Sequence, residues 1–203
     1  MTCQTHILTQ SRLQELLHYD PETGVFCWKV NRRGKAKAGT TAGTISEGYV
    51  LIRIDGTAYR ANRLAFLYMT GKWPPNNSDH ENIDRGDNRW INLRPATTAQ
   101  NNANVRKRSA VGFKGVSIAR EKFRSQIKAD GKLKHLGYFP DAVAAAKAYD
   151  AAAIEYHGEF ARTNFMASQQ GKRGNETADR ETTGRCGVRN DGLWPEAGIR
   201  STE

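Results

Sequence analysis

Asp79 and His80 stand side by side in a polar stretch running from Asn76 to Asn104. A carboxylate oxygen can hold a hard divalent cation such as Mg2+. A neighbouring imidazole can take a proton from water near neutral pH. A cation so placed stabilises charge on a leaving oxygen. These are the parts needed to hydrolyse a phosphodiester. The pair alone is a weak signal, because Asp-His dipeptides arise by chance and hydrogen-bond at surfaces. A second ligand must come from elsewhere in the chain, and an amide oxygen is acceptable. A stretch this long without apolar periodicity is unusual in a compact domain and points to function or disorder.

The flanking chain has to position these residues. Apolar spacing predicts a helix over 7–18 (Leu8, Leu13, Leu16, Leu17), then a turn at Tyr19-Asp20-Pro21-Glu22-Thr23-Gly24. Val25–Val30 reads as a strand, followed by a Gly/Lys-rich loop to about Gly43. Gly48–Ile54 reads as a second strand ending at the hairpin signal Asp55-Gly56. Ala61–Met69 has helical spacing, stopped by Gly71 and Pro74-Pro75. Further on, Lys114–Ala119, Lys122–Ala129 and Lys132–Phe139 read as three short strands, the last two joined at Asp130-Gly131. Asp141 caps an Ala-rich helix to Tyr156 whose small face (Ala142, Ala145, Ala146, Tyr149, Ala152, Ala153) allows close approach to the sheet.

The wider polar pattern is specific. It runs Asp79-His80, then Asp87-Asn88-Arg89 with Asn92-Leu93-Arg94, then Gln100-Asn101-Asn102. It resembles the HNH endonucleases, in particular the phage and intron homing type. The likeness extends over roughly Leu17 to Asn104 and includes Arg63-Leu64-Ala65 and Tyr68–Pro74. It implies a ββα-metal motif: a β-hairpin and a helix around one Mg2+ or another divalent cation such as Mn2+, with no zinc. Asp79 would be a metal ligand and His80 the general base. Asn92 would brace the loop carrying the histidine. Asn101 would occupy the helical metal-ligand position, with Asn102 or Gln100 in its place if the register slips. Three departures stand out. Asn62 takes a position where relatives usually have histidine. Ser78 and Glu81 take positions that are usually apolar. Ile83 takes the usual glycine of an Asn-Gly turn, where a β-branched residue resists positive φ. Together they are expected to loosen the site.

Residues 112–165 resemble the Apetala-two/ethylene-response-factor (ERF) DNA-binding domain. The match rests on Lys114-Gly115-Val116, Lys122–Ile127, Leu136–Phe139, Ala144–Asp150 and Thr163-Asn164-Phe165. It implies a three-stranded sheet laid in the major groove of double-stranded DNA, and such fusions fit phage or mobile-element genes. The residues point the same way. Phe123, Ser125 and Ile127 alternate with Lys122, Arg124, Gln126 and Lys128, so one face packs on the helix and the other is basic. Arg and Lys pair with phosphate or guanine, and Gln with adenine. Ser117 and His135 are expected on the basic face. Relatives often have arginine or tryptophan there, so base specificity is expected to differ. Lys114, Arg120 and Lys134, with the linker Arg106-Lys107-Arg108, complete the candidate DNA contacts. No aromatic platform is evident on these strands, which disfavours RNA binding.

Charge agrees with a polyanionic partner. The 203-residue chain carries a formal +10. Between Asn101 and Pro140, ten basic residues face only Glu121 and Asp130, whereas the segment after Phe165 is balanced. No segment is apolar enough to span a bilayer and the start lacks a signal-peptide pattern, so a cytoplasmic location is expected, that of a host cell if phage-encoded. Cys3, Cys27 and Cys186 form no C-x-x-C pair and are expected to be reduced. The expected fold is α+β: an N-terminal region (1–75), the HNH motif (76–105), a basic linker (106–111), a three-stranded antiparallel sheet packed on one helix (112–166) and a disordered tail (167–203). The expected activity is metal-dependent cleavage of double-stranded DNA, without a small-molecule cofactor or a membrane. A DNA-binding regulator with an inactive nuclease domain is the alternative.

Overall fold

A computed structural model of the protein describes residues 7–34, 36–105 and 109–165. The basic linker Arg106-Lys107-Arg108 and the expected disordered tail beyond 166 lie outside the described residues. The chain divides into two compact units, one running to Pro95 and the other starting at Ala96.

The first unit opens with α1 (Gln10–Leu16), capped by the Thr9 side chain, which accepts from Arg12 N at 3.2 Å. The helix is shorter than its apolar spacing suggests. Leu17 turns extended, and β1 (Leu17–Tyr19) pairs antiparallel with β2 (Phe26–Trp28) in the register Leu17↔Trp28, Tyr19↔Phe26. Pairing claims the last expected turn of helix, and all six strand residues are buried.

A three-stranded sheet follows in the order β3 (Thr44–Ser46), β4 (Tyr49–Ile54), β5 (Thr57–Arg60). Glu47 and Gly48, and again Asp55 and Gly56, both take positive φ, the geometry of tight hairpin turns. The first of these turns escaped the sequence reading because Gly48 was assigned to the strand. Helix α2 (Ala61–Thr70) ends at Gly71, whose φ of 71 closes it in a left-handed cap. Leu13, Leu17, Tyr19, Phe26, Ile52, Ile54, Leu64 and Leu67 form the core between these elements. Cys27, buried on β2, is disulfide-bonded, which corrects the expectation of reduced thiols. Wide spacing in sequence does not bound separation in space. A two-stranded sheet, β6 (Asn77–His80) with β7 (Leu93–Ala96), completes the hairpin around the polar stretch.

The second unit holds α3 (Thr98–Asn104) and a three-stranded antiparallel sheet, β8 (Val116–Ala119), β9 (Lys122–Ala129) and β10 (Lys132–Phe139), with β9 central. Helix α4 (Ala142–His157), capped by Asp141 through Ala144 N at 2.7 Å, packs on one face. The small residues Ala145, Ala146 and Ala153 are fully buried there. Gly115 is required: a Cβ would stand 2.0 Å from the Tyr149 ring. Asp150 accepts from Asn164 N and Phe165 N, and the Asn164 side chain bonds both backbone atoms of Lys114. The Thr-Asn-Phe sequence thereby fastens the chain end to the sheet.

Candidate active site and nucleic-acid face

Asp79 and His80 close β6 and are buried, at 3% and 4% exposure. Arg94 on β7 donates Nε and a terminal guanidinium nitrogen to Asp79 Oδ2, each at 3.0 Å. His80 Nε2 lies 3.3 Å from Asn88 Oδ1. With Nε2–H donating to that amide oxygen, the imidazole's acceptor lone pair lies on Nδ1. Burial holds the His80 pKa below its usual value, against the opposing pull of Asn88 and of Asp79, Asp87 and Asp84. The imidazole is therefore neutral at neutral pH, the form that accepts a proton.

The loop from Glu81 to Arg89 is tied at several points. Asn92 Oδ1 accepts from Asn82 N at 3.0 Å, and its Nδ2 donates to Asp87 O at 2.8 Å. Asp87 pairs with Arg89 at 2.6 Å. The Tyr19 hydroxyl donates to Asn88 O at 2.7 Å, and Trp90 N donates to Pro21 O at 2.9 Å. Gly24 admits no side chain, because a Cβ there would stand 2.3 Å from Arg89 N. The turn at Tyr19–Gly24 thus grips the loop that carries Asn88, and Asn88 holds His80.

The three departures have visible consequences. Ile83 adopts φ 70, a conformation that costs a β-branched residue roughly 1–2 kcal/mol. Asn62 Nδ2 donates to Ser78 O at 3.1 Å. Asn62 Oδ1 and Ser78 Oγ are buried without a hydrogen-bond partner among the described residues. Glu81 is exposed.

Asp79, His80 and Asn92 are brought together in the first unit. Gln100, Asn101 and Asn102 sit on α3 in the second. Gln100 Oε1 accepts from Thr97 N at 2.7 Å in a capping box, so its oxygen is already engaged. Among the described residues no three His, Cys, Asp or Glu side chains converge. One carboxylate with amide oxygens suits Mg2+, which keeps several waters and takes one or two protein carboxylates. A cation at Asp79 would share that carboxylate with Arg94. Sequence reasoning assigned no role to Asn88 or Arg94, although both lie inside the quoted motif, and it missed the grip of Tyr19 because that residue reads as a turn former.

Residues 59–103 match the family described as HNH endonuclease. The chain contains an HNH endonuclease domain. Its match spans the end of β5, α2, the β6–β7 hairpin and most of α3, so every residue discussed above for chemistry, from Asn62 to Asn102, falls inside it.

In the second unit, β9 alternates as expected: Ser125 and Ile127 are buried, while Lys122 and Lys128 are exposed. Register puts Ser117 opposite Arg124 and His135 opposite Gln126, on the face away from α4. Arg124 Nε lies 3.4 Å from Ser117 Oγ. Arg120 is exposed in the β8–β9 turn. Two candidates stand apart from that face. Lys134 pairs with Ile127, so it points to the helix side, 3.8 Å over the Tyr156 ring. Lys114 donates to Ala103 O, and burial lowers its pKa to about 8. Conversely, Tyr138 lies opposite Arg124 at 58% exposure, its ring 4.8 Å from His135. The sequence reading had placed no aromatic pair there.

Proposed function

We propose that the protein is a DNA endonuclease of the homing type in which His80 activates water and Asp79 holds a divalent cation, Mg2+ or Mn2+. The reading is carried by the buried, neutral His80, held by Asn88 on the strand that presents Asp79, inside the HNH match. His80 takes the proton of the attacking water, and Asn88 fixes the ring's orientation. Asn92 pins both ends of the loop, so the imidazole does not swing. A bound cation would stabilise charge on the leaving oxygen. Ser117, Arg120, Lys122, Arg124, Gln126, Lys128 and His135, with the linker Arg106-Lys107-Arg108, would hold double-stranded DNA as an ERF-type face. The exposed charge of β9 supports that role.

Relaxation of supercoiled plasmid in Mg2+ tests this reading. Wild type should nick or linearise the plasmid, and EDTA should stop it. His80→Ala should lose at least about a hundredfold in rate, as expected for removing a general base. Equal, metal-independent rates for the two proteins would refute the catalytic assignment.

A further inference from the structure

The outer face of the β3–β4–β5 sheet joins the His80 site to a second, unassigned feature. Along β4, Tyr49, Leu51 and Arg53 share that face, while Ile52 and Ile54 are buried on the other. Register adds Ser46 opposite Tyr49, and Thr44 and Arg60 opposite Leu51. At one end the Tyr49 ring lies 6.1 Å from the His80 ring. Arg60 and Arg85 stack over Tyr49 at 4.1 and 4.8 Å. At the other end Leu51 and Arg53 form one wall of an open groove of about 1170 Å3 within the first unit.

The groove is basic. Arg12, Arg32, Arg33, Lys37 and Arg53 line it, and Asp55 is the one acidic residue in the lining. Asp55 is taken up by Arg12, at 3.1 Å. No ion pair reaches Arg32, Arg33, Lys37 or Arg53 among the described residues. Arg32 is pre-positioned, 4.7 Å over the Trp28 ring and donating to Arg53 O at 2.9 Å. Four unneutralised cations gathered on one concave surface repel one another, and that arrangement suits a bound polyanion.

We propose that this strip is a track for a DNA backbone, running from the phosphate at His80 to the groove. From Tyr49 to Arg53 is four residues of strand, about 13 Å. Successive phosphates of one strand lie about twice the axial rise of about 3.4 Å apart, because the strand winds around the axis, so that spans roughly two phosphates. Arg60 and Arg85 contact the backbone next to the scissile bond, and Arg32, Arg33, Lys37 and Arg53 contact it further along the same strand. The proposal rests on the nuclease reading for its direction, but its charge argument stands without it.

Duplex affinity of the full chain, measured across a salt series without divalent metal, tests the track. Arg33 and Lys37 are exposed, so Arg33→Gln/Lys37→Gln is the first variant. Arg32→Gln/Arg53→Gln is the second, checked for folding by near-ultraviolet circular dichroism. Each pair should lower the slope of log K against log salt by about two. The charge-keeping Arg33→Lys should leave it unchanged. Acetylation of Lys37 by an amine reagent should slow when duplex DNA is added. Unchanged slopes in folded variants, or Lys37 acetylation unaffected by DNA, would overturn the track whatever the cleavage assay gives. A wild type that fails to cut plasmid while the variants lose slope sinks the nuclease reading and keeps the track.

Discussion

The two units carry polar groups in opposite ways. In the first, the chemistry-bearing side chains Asp79, His80, Asn88 and Asn92 are buried, each with hydrogen-bond partners in the hairpin. In the second, the interior is mostly apolar, and its buried polar residues among those described, Asn104, Ser125 and Asp150, lie outside the proposed contact face. Ile127, Tyr149 and a set of alanines fill the interior, and the charges stand on the far face of β9. Bond-breaking needs a few groups held in one orientation, because a misplacement of an ångström is costly. Holding a nucleic-acid backbone needs exposed cations whose long side chains adapt. If the comparison is right, mutations at the buried polar residues of the first unit should act on rate, and mutations at exposed cations on affinity and its salt dependence.

The sharpest test is Asn88→Ala. It removes the amide 3.3 Å from His80 Nε2 while leaving the Asn88 carbonyl that Tyr19 binds. The imidazole then loses its orienting partner. Turnover should fall about ten- to a hundredfold with little change in KM, since substrate contacts are untouched. Single-turnover cleavage of a labelled duplex measures this. A change confined to KM would break the comparison, because it would make Asn88 a binding residue.

The reciprocal test lies on the second unit's sheet. Replacing Arg124, Gln126 and Lys128 together with Ala removes two cations from the basic face. The slope of log K against log salt should fall by roughly two, while the rate at saturating DNA stays unchanged. Fluorescence anisotropy over a salt series gives the slope. An unchanged slope would leave the exposed charge of β9 without the assigned role.

The same contrast explains what was legible in the sequence. In the second unit the alternation of β9, the Asp130-Gly131 turn and the Asp141 cap are local signals, and each element appears within two residues of its expected bounds. Lys114 and Lys134 escaped because facing depends on register: Lys134 is opposite Ile127, and one bulge in β10 separates His135 from Gly137. In the first unit the strained turn at Ile83 was readable, because positive φ is a property of one residue. The grip of Tyr19 on Asn88 was not, because it joins residues 69 positions apart. The same holds for Arg94 on Asp79. Leu17 shows local spacing losing to pairing: its apolar period continues a helix, but Trp28 claims it for a strand.

Lys114 gives the smallest and most particular test, because it is an exception within the second unit. Its ammonium is half-buried, donating to Ala103 O, whereas Lys122 and Lys128 on β9 are exposed. Burial, with Arg162 nearby, lowers its pKa to about 8 from the usual lysine value of 10.5. Between pH 8 and 10.5 the unfolded chain binds a proton that the folded chain has released. Stability therefore rises with pH across that window. Below pH 8 both states hold the proton and the full penalty of burying the charge remains. Because the side chain is partly exposed, screening limits the rise to on the order of 1 kcal/mol. Urea unfolding of the second unit, followed by far-ultraviolet circular dichroism at pH 7.5 and 9.5, should show that rise in the wild type. Lys114→Met should flatten it. An equal rise in both proteins would assign the pH dependence to other groups and leave Lys114 as an ordinary surface cation, free to join the phosphate-binding set from which its burial now separates it.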